Sequence, residues 1–352
     1  MKAHYFKYQL HFKQPAGTSR GVLYHKDTYF LVVTDGNRTG YGECNLFKGL
    51  SADDLPDYEA KLQWLIDHID LPENIILKKL KQYSSIIFGY EQAMRSIKSP
   101  EPHLLYPSLF TDGQENIPIN GLVWMGSKDF MFQQIKNKIE AGFKVIKLKI
   151  GAIDFEDELD LLGYIRQHFS PDTIEIRVDA NGAFNSGEAL EKLKRLSDFE
   201  IHSIEQPIKQ GQWEALAQLC RTTPIDIALD EELIGFDDTV ISKNDFLNLI
   251  APQYIILKPA LHGSFSGAQS WIDAATSQQT GWWITSALES NVGLNALAQF
   301  TYNLNVTLPQ GLGTGGLFTN NFDSPLYIKN GRLCYNPNKK LDFNYQGFIS
   351  NF

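Results

Sequence analysis

Charged residues stand at the C-terminal ends of five consecutive β-rich segments of the chain, and their types suit acid–base chemistry around a metal ion. These residues are Lys147 and Lys149, Asp179, Glu205, Asp230 and Lys258. From Asp179 to Lys258 they lie about 25 to 28 residues apart, which suits one strand-and-helix unit each. One acid or lysine at a strand end is usually a solvated residue or a helix cap, but charges on five strands in succession predict one functional site.

The three acids predict a site for a hard divalent ion. Asp179, Glu205 and Asp230 would repel one another strongly if they met without a cation. Oxygen ligands favour Mg²⁺, which prefers a few carboxylates and leaves its other positions to water or substrate. The sequence therefore predicts a Mg²⁺ site, with Mn²⁺ as a substitute, and the lack of His or Cys at these positions argues against zinc.

The lysines suggest that the site removes a proton next to a carboxylate. Side chains alternate along a strand, so Lys147 and Lys149 project from the same face. A lysine acts as a base only when its pKa falls towards the working pH, and burial and neighbouring positive charge both have that effect. Lys147 supplies such a charge beside Lys149. The metal and a facing cation would then stabilise the enediolate that results.

The elements that must position these residues change in character near residue 116. Strand-like and helical stretches predict a small α+β domain over residues 1–115. Eight β-rich segments, of which the last is the irregular LPQGLGTG at 308–315, then alternate with helical segments. This alternation predicts a modified (β/α) barrel over residues 116–320, whose active site lies at the C-terminal ends of its strands. Residues 321–352 are expected to pack back onto the first domain.

Composition excludes several classes of protein. The net charge of -9 argues against non-specific binding to nucleic acid or to an anionic membrane. No apolar segment approaches the roughly 18 residues of a membrane helix, and the first residues lack the apolar core of a signal peptide. Cys44, Cys220 and Cys334 fit neither a disulfide framework nor a zinc site. We therefore expect a cytoplasmic enzyme that acts on a small-molecule carboxylate, with its oligomeric state left open.

The charged segments together resemble the enolase superfamily, specifically its muconate-lactonizing subgroup. The segments that carry the resemblance are KLK with Lys147 and Lys149, VDANGAF with Asp179, IEQP with Glu205, LDEE with Asp230, and LKPA with Lys258. The resemblance extends over nearly the whole chain and implies a barrel with an N-terminal capping domain. It implies that Lys149 and Lys258 are catalytic and that the three acids hold Mg²⁺.

Within the subgroup, the chain is most similar to members that dehydrate a hydroxycyclohexadiene carboxylate in menaquinone biosynthesis. The similarity lies in residues 285–300 and 310–321 and in Arg177, while HGSFSG after the sixth strand departs from the usual double glycine. The resemblance implies that Lys149 removes the proton and then assists the departing hydroxide, while Lys258 stabilises the anion from the opposite face. The other predicted site residues are Lys147, Arg177 and Ser286 as substrate contacts, and Asn181 and Glu231 as supports of the ligands.

Two alternatives remain open. A dipeptide epimerase or N-acylamino acid racemase of the same superfamily would use Lys149 and Lys258 as two bases. Dipeptide epimerases usually carry a DxD element at the seventh strand, where this chain reads SALES. The second alternative is a non-catalytic barrel that binds a small acid, and we expect such a protein to have lost some of the charged residues that are present here.

Overall fold

The structure is a computed structural model that describes residues 1–18 and 21–348. The strands in chain order are β1 (Lys2–Thr18), β2 (Gly21–Thr34), β3 (Thr39–Cys44), β4 (Ile117–Pro118), β5 (Gly121–Val123), β6 (Val145–Lys149), β7 (Glu175–Asp179), β8 (Ser203–Glu205), β9 (Asp226–Leu229), β10 (Tyr254–Leu257), β11 (Gly281–Ile284), β12 (Leu326–Lys329) and β13 (Arg332–Tyr335). The helices are α1 (Tyr58–Asp67), α2 (Glu73–Lys79), α3 (Ser84–Ser96), α4 (Lys128–Glu140), α5 (Phe155–His168), α6 (Ala189–Ser197), α7 (Trp213–Thr222), α8 (Lys243–Ile250), α9 (Ser264–Ser277) and α10 (Asn291–Asn303). None of the helices in the described ranges is long and apolar enough to cross a bilayer.

An antiparallel sheet of β1, β2 and β3 begins the chain. The alternation of side chains in β2 explains why both faces of this sheet are covered. Leu31 and Val33 pack into a cluster with α1, α2 and α3, whereas Phe30 and Val32 pack on the other face with residues such as Phe343 from the end of the chain. The structure therefore confirms the predicted N-terminal α+β unit, while its boundary at residue 115 stays a prediction.

A parallel sheet holds the charged segments. Its seven strands follow the order β11-β10-β9-β8-β7-β6-β5, with a helix between each pair of neighbours. Valine, isoleucine and leucine from these strands form the largest core cluster, as expected for a parallel sheet that is covered on both faces. The sequence alternation thus predicted the parallel β/α arrangement and the position of its strands correctly.

The prediction of an eighth strand at 308–315 is wrong. Only Gln310 and Gly311 make bridges there: Gln310 N donates to Pro118 O at 2.9 Å, and Gly311 N donates to Ile284 O at 2.8 Å. Pro309 has no N–H to donate, and the glycines weaken a strand, so the segment stays irregular. These two residues nevertheless connect Ile284, the last residue of β11, with Pro118, which lies shortly before β5 in the chain.

The residues after 320 contact two parts of the molecule. The antiparallel strands β12 and β13 form a sheet with β4, which precedes the first strand of the parallel sheet in the chain. Nearby residues contact the first sheet: Tyr8 Oη donates to Asn320 O at 2.8 Å, and the Phe343 ring centre lies 4.8 Å from that of Phe30.

Two glutamates of the N-terminal part hold it against two helices that follow strands of the parallel sheet. Glu43, on β3, accepts hydrogen bonds from Ser290 N at 3.0 Å, Ser290 Oγ at 2.6 Å and Gly293 N at 3.0 Å, at the first turn of α10. Glu91, on α3, accepts hydrogen bonds from the hydroxyl groups of Ser264 and Ser266 at the start of α9. Both contacts place negative charge at a helix N-terminus, where the helix dipole favours it.

We predict that Glu43→Gln lowers the free energy of unfolding by about 2–4 kcal/mol, because the amide NH₂ that replaces one carboxylate oxygen is a donor and leaves the donors it faces without an acceptor. Glu43 is fully buried, so water cannot replace the lost bonds. Urea denaturation followed by circular dichroism measures the change. Glu73→Gln, at an exposed position of α2, is the matched control. Equal stability of the two variants would contradict the assigned role of Glu43.

Candidate active site

The charged strand ends surround one cavity at the C-terminal end of the parallel sheet. The charged and polar residues that line it include Lys147, Lys149, Asp179, Asn181, Glu231, Lys258 and Ser286. Its apolar walls include Leu122, Trp124, Phe143, Leu288 and Leu317, and the N-terminal part contributes Phe47 and Leu50. The cavity therefore combines a charged floor with walls suited to a hydrocarbon ring.

Strand register explains how neighbouring strands deliver their charges to one place. Lys149 pairs with Asp179 across β6 and β7, and Asp179 pairs with Glu205 across β7 and β8. Asp230 follows the last residue of β9 and Lys258 follows the last residue of β10. The parallel register thus brings together all six charged residues that the sequence singled out.

Ion pairs connect the acids and the lysines. Lys147 Nζ lies 2.9 Å from Asp179 Oδ2 and also contacts Glu205 Oε2. Lys149 Nζ lies 3.0 Å from Asp179 Oδ2. Lys258 Nζ pairs with Asp230 Oδ2. The exposed fraction of the lysine side chains is 9% to 13%, and that of the acid side chains is 1% to 2%. Water therefore has little access to these ion pairs, and the acids and lysines must balance one another's charge.

The pKa values follow from burial and from these partners. Burial disfavours the charged form of Asp179, but Lys147 and Lys149 outweigh it and hold the pKa of Asp179 below its usual range. Burial and the charge of Asp179 raise the pKa of Glu205. Burial works against the charge of Lys258, yet Asp230 outweighs it and raises the pKa of Lys258. Asp179 and Lys258 therefore stay charged in the folded protein.

Asn181 and Glu231 form a bridge beside Lys149. Lys149 Nζ donates to Asn181 Oδ1 at 2.7 Å, and Asn181 Nδ2 donates to Glu231 Oε1 at 2.9 Å. Asn181 adopts a left-handed backbone conformation with φ 45°, which asparagine tolerates better than most residues. Its side chain therefore connects the end of β7 with the residue after Asp230.

Ser286 lines the cavity, but its hydroxyl group is already engaged. It donates to Glu289, and it accepts from Thr314 Oγ1 at 2.8 Å and from Leu288 N at 3.0 Å. The helix that follows is capped by Ser290. The role of Ser286 as a substrate contact stays a prediction.

Arg177 lies away from the cavity. The side chain is 2% exposed, Nη1 donates to Pro309 O at 3.0 Å, and the guanidinium lies 4.4 Å from the ring centre of Trp283. Its position two residues before the end of β7 places it deeper in the sheet than Asp179. The structure thus gives no support to the predicted substrate contact of Arg177.

His262 is a supporting residue that sequence reasoning missed. The backbone N–H of Lys258 donates to His262 Nδ1 at 3.0 Å, so the turn after β10 is fixed by a buried imidazole. Burial lowers the pKa of His262 to about 3, so the ring is neutral. The signal lay in HGSFSG, where His262 follows Lys258 by one turn.

The acids fit a Mg²⁺ ion in their chemistry, although ammonium groups lie between them in this structure. Glu205 Oε1 and Asp230 Oδ1 are buried oxygens that accept no hydrogen bond among the residues described. Within residues 1–18 and 21–348, no three acidic, histidine or cysteine side chains are grouped closely enough to hold a metal ion. The donor set is nevertheless made of oxygen alone, which suits Mg²⁺. The three ligand assignments stay predictions.

Comparison with known proteins gives consistent matches. The family model described as "Enolase C-terminal domain-like" matches residues 131–337. An o-succinylbenzoate synthase of Desulfotalea psychrophila is 44% identical over 95% of this chain and 98% of the relative. The crystal structure of MenC from Desulfotalea psychrophila LSv54 superposes with a TM-score of 0.84 at 40% identity, over 95% of this chain and 99% of that one.

A more distant match shares the fold. The L-Ala-D/L-Glu epimerase of Bacillus subtilis superposes with a TM-score of 0.81 at 18% identity, over 95% of this chain and 96% of that one. One fold therefore occurs in proteins named for different reactions, and the residues of the site must decide between them.

We predict that His262 makes the protein sensitive to acid. Its pKa is about 3 when folded against an ordinary 6.5, so its stabilising contribution is present above pH 6.5 and is lost as the pH falls towards 3. From pH 7 to 5 the wild type should therefore lose about 2 kcal/mol more stability than His262→Asn, whose side-chain oxygen can still accept from Lys258 N. Urea denaturation at the two pH values measures this difference. His25→Asn, at an exposed position, should behave like the wild type. Parallel pH dependence in the wild type and His262→Asn would contradict the prediction.

Proposed function

Because the chain belongs to the enolase C-terminal domain-like family, we propose that it catalyses the o-succinylbenzoate synthase reaction. This reaction removes water from 2-succinyl-6-hydroxy-2,4-cyclohexadiene-1-carboxylate and yields o-succinylbenzoate. The membership confirms the resemblance seen in the sequence. The observation that carries the proposal is that Lys149 and Lys258 line one cavity from strands separated by β7, β8 and β9. Two lysines so placed approach a bound ring from different sides.

Lys149 is the proposed base. A neutral amine has two N–H bonds and one lone pair, and Lys149 Nζ has two acceptors, Asp179 Oδ2 at 3.0 Å and Asn181 Oδ1 at 2.7 Å. Both N–H bonds can therefore be held while the lone pair is left for a substrate proton. This arrangement orients the base before the substrate binds.

Lys258 is the proposed electrostatic partner. Its ion pair with Asp230 raises the pKa of Lys258 against the effect of burial, so it stays protonated. A fixed positive charge stabilises the enediolate as it forms and attracts the π system of the ring. The same charge makes Lys258 a poor second base.

The proposed dehydration proceeds in two steps, proton removal and loss of the hydroxyl group, and needs no outside proton donor or electron acceptor. Lys149 Nζ takes the proton from the ring carbon that bears the carboxylate, and the electron pair moves onto that carboxylate as an enediolate. The pair then returns to the ring as the carbon–oxygen bond of the hydroxyl group breaks. The proton held on Lys149 goes to the departing hydroxide, which leaves as water from the same face. Aromatisation of the ring favours this second step.

Asp179, Glu205 and Asp230 are the proposed ligands of Mg²⁺, and Mn²⁺ is a proposed substitute. When bound, the ion supplies positive charge at the ring carboxylate and so stabilises the enediolate. Asn181 and Glu231 would keep the acids and Lys149 in place. We also propose that Gln310 and Gly311, which bond to the end of β11 and to residues just before β5, close the parallel sheet into a barrel around this site.

The position of Glu289 disfavours the epimerase alternative. A dipeptide presents an ammonium group, which requires an acid to pair with it. Asp179 and Glu231 line the cavity but are bonded to Lys149 and Asn181, so we look for such an acid near the end of β11. Glu289 is the acid nearest in sequence to the end of β11, but it is fully buried and accepts hydrogen bonds from Ser286, Ala287 N and Asn45. Glu289 does not line the cavity, so it is not placed to pair with the ammonium group of a dipeptide.

The decisive experiment mixes the purified protein, Mg²⁺ and the cyclohexadiene carboxylate, and follows the loss of the ultraviolet absorbance of the diene. We expect rapid conversion to o-succinylbenzoate that stops when EDTA is added. Folded, Mg²⁺-treated protein that leaves the diene unchanged would refute the proposed function. Proton exchange and racemisation of dipeptides or N-acylamino acids by the same protein would then favour the alternative.

We predict that Lys149→Arg lowers kcat by about 10²–10⁴-fold, because a guanidinium stays protonated and cannot act as a base. Lys258→Met should also abolish most turnover, because the enediolate loses its facing charge. Kinetics of the same ultraviolet assay measure both effects, and circular dichroism checks the fold. Lys144→Arg, at an exposed position just before β6, is the control that should keep wild-type rates. Wild-type turnover by Lys149→Arg would rule out its role as the base.

A further inference from the structure

Lys138 places a fourth ammonium group on the wall of the active-site cavity. It belongs to α4, is half-buried, and lines both this cavity and the adjoining cleft beside Phe12 and Trp124. Its Nζ lies 5.2 Å from the ring centre of Phe143. Burial lowers the pKa of Lys138, and no acid offsets that effect. Lys147, Lys149 and Lys258 all have carboxylate partners, whereas Lys138 has none among the described residues.

A glycine lets Lys138 lie against the sheet. A Cβ atom at Gly121 would approach Lys138 Cδ and Phe143 Cγ to 3.1 Å, closer than ordinary van der Waals contact. Gly121 begins β5, and one edge of β5 pairs with β6. On the other side, the bridge to Gln310 is made by Ile119, which precedes β5. The edge of β5 beyond that bridge is thus unpaired among the described strands, and the Lys138 side chain packs beside it.

The proposed substrate carries two carboxylates, and the proposed Mg²⁺ site on the cavity floor accounts for the one on the ring. The second ends the succinyl chain and must leave bulk water to enter a cavity with walls such as Leu122, Trp124 and Phe143. A buried carboxylate without a partner is costly, and a half-buried ammonium without an acid is the matching group.

We propose that Lys138 binds the terminal carboxylate of the succinyl chain and so selects dianionic substrates, an inference that rests on the proposed function. Lys138 is then a substrate-binding residue on the cavity wall, beside Phe143. It disfavours substrates whose chain ends in an ammonium group or is uncharged.

The test compares two ligands that differ only at the end of the chain. o-Succinylbenzoate carries the terminal carboxylate, and 2-butyrylbenzoate carries a methyl group in its place. Titration calorimetry with Mg²⁺ present measures their affinity for the wild type, Lys138→Met and Lys136→Met. Lys136 is the matched control, because it lies on the same helix, over the Phe132 ring at 4.6 Å, and does not line the cavity.

We expect Lys138→Met to weaken o-succinylbenzoate binding about 10- to 100-fold and to leave 2-butyrylbenzoate binding nearly unchanged, since a charge-assisted hydrogen bond is lost for one ligand only. Lys136→Met should bind both ligands as the wild type does. In turnover, KM should rise more than kcat falls. Unchanged affinity of Lys138→Met for o-succinylbenzoate, or an equal loss for both ligands, would overturn the inference. Because binding is measured without turnover, a wild type that binds but does not dehydrate would refute the proposed function separately.

Discussion

Neutralisation of buried charge is the constraint on which the site depends. Three acids and three lysines meet at the end of the parallel sheet with little access to water, and an unpaired charge there would cost several kcal/mol. Strand register sets Lys149 beside Asp179, and it also places the acids Asp179 and Glu205 side by side, where Lys147 pairs with both. The parallel register and the lysines that reach across it therefore keep each buried acid next to a positive charge.

The N-terminal part completes the cavity and is held in place by polar contacts. Phe47 and Leu50 form part of the wall, and Glu43 and Glu91 anchor the unit to α10 and α9. A further connection runs from Asn45 Nδ2 to Glu289 at 3.1 Å. Buried polar contacts of this kind are directional, so they fix the orientation of the unit more tightly than apolar packing alone would.

Features that depend on local sequence pattern, such as strands and the charges at their ends, could be predicted from the sequence. Features that depend on packing between distant segments could not. Alternating hydrophobic segments predicted the parallel strands, and charges at strand ends predicted which charged residues meet at the end of the sheet, because both follow from the period of a strand. The eighth strand was wrong, since Pro309 and its neighbouring glycines limit that segment to two bridging residues. Arg177 and Lys138 could not be placed, because their surroundings come from Trp283 and Gly121, which are distant in sequence.

The balance of charge connects the proposed reaction with the proposed role of Lys138. The acids and lysines of the cavity floor cancel one another, so by themselves they offer a dianion little net attraction. A divalent ion at the acids would add positive charge at one place, and the ammonium of Lys138, which has no carboxylate partner among the described residues, would add it at another. A substrate with two separated carboxylates matches that distribution, whereas a dipeptide, which carries an ammonium group, does not. If so, the selectivity of this protein depends on where uncompensated charge lies, and the lysines proposed as catalytic can stay the same.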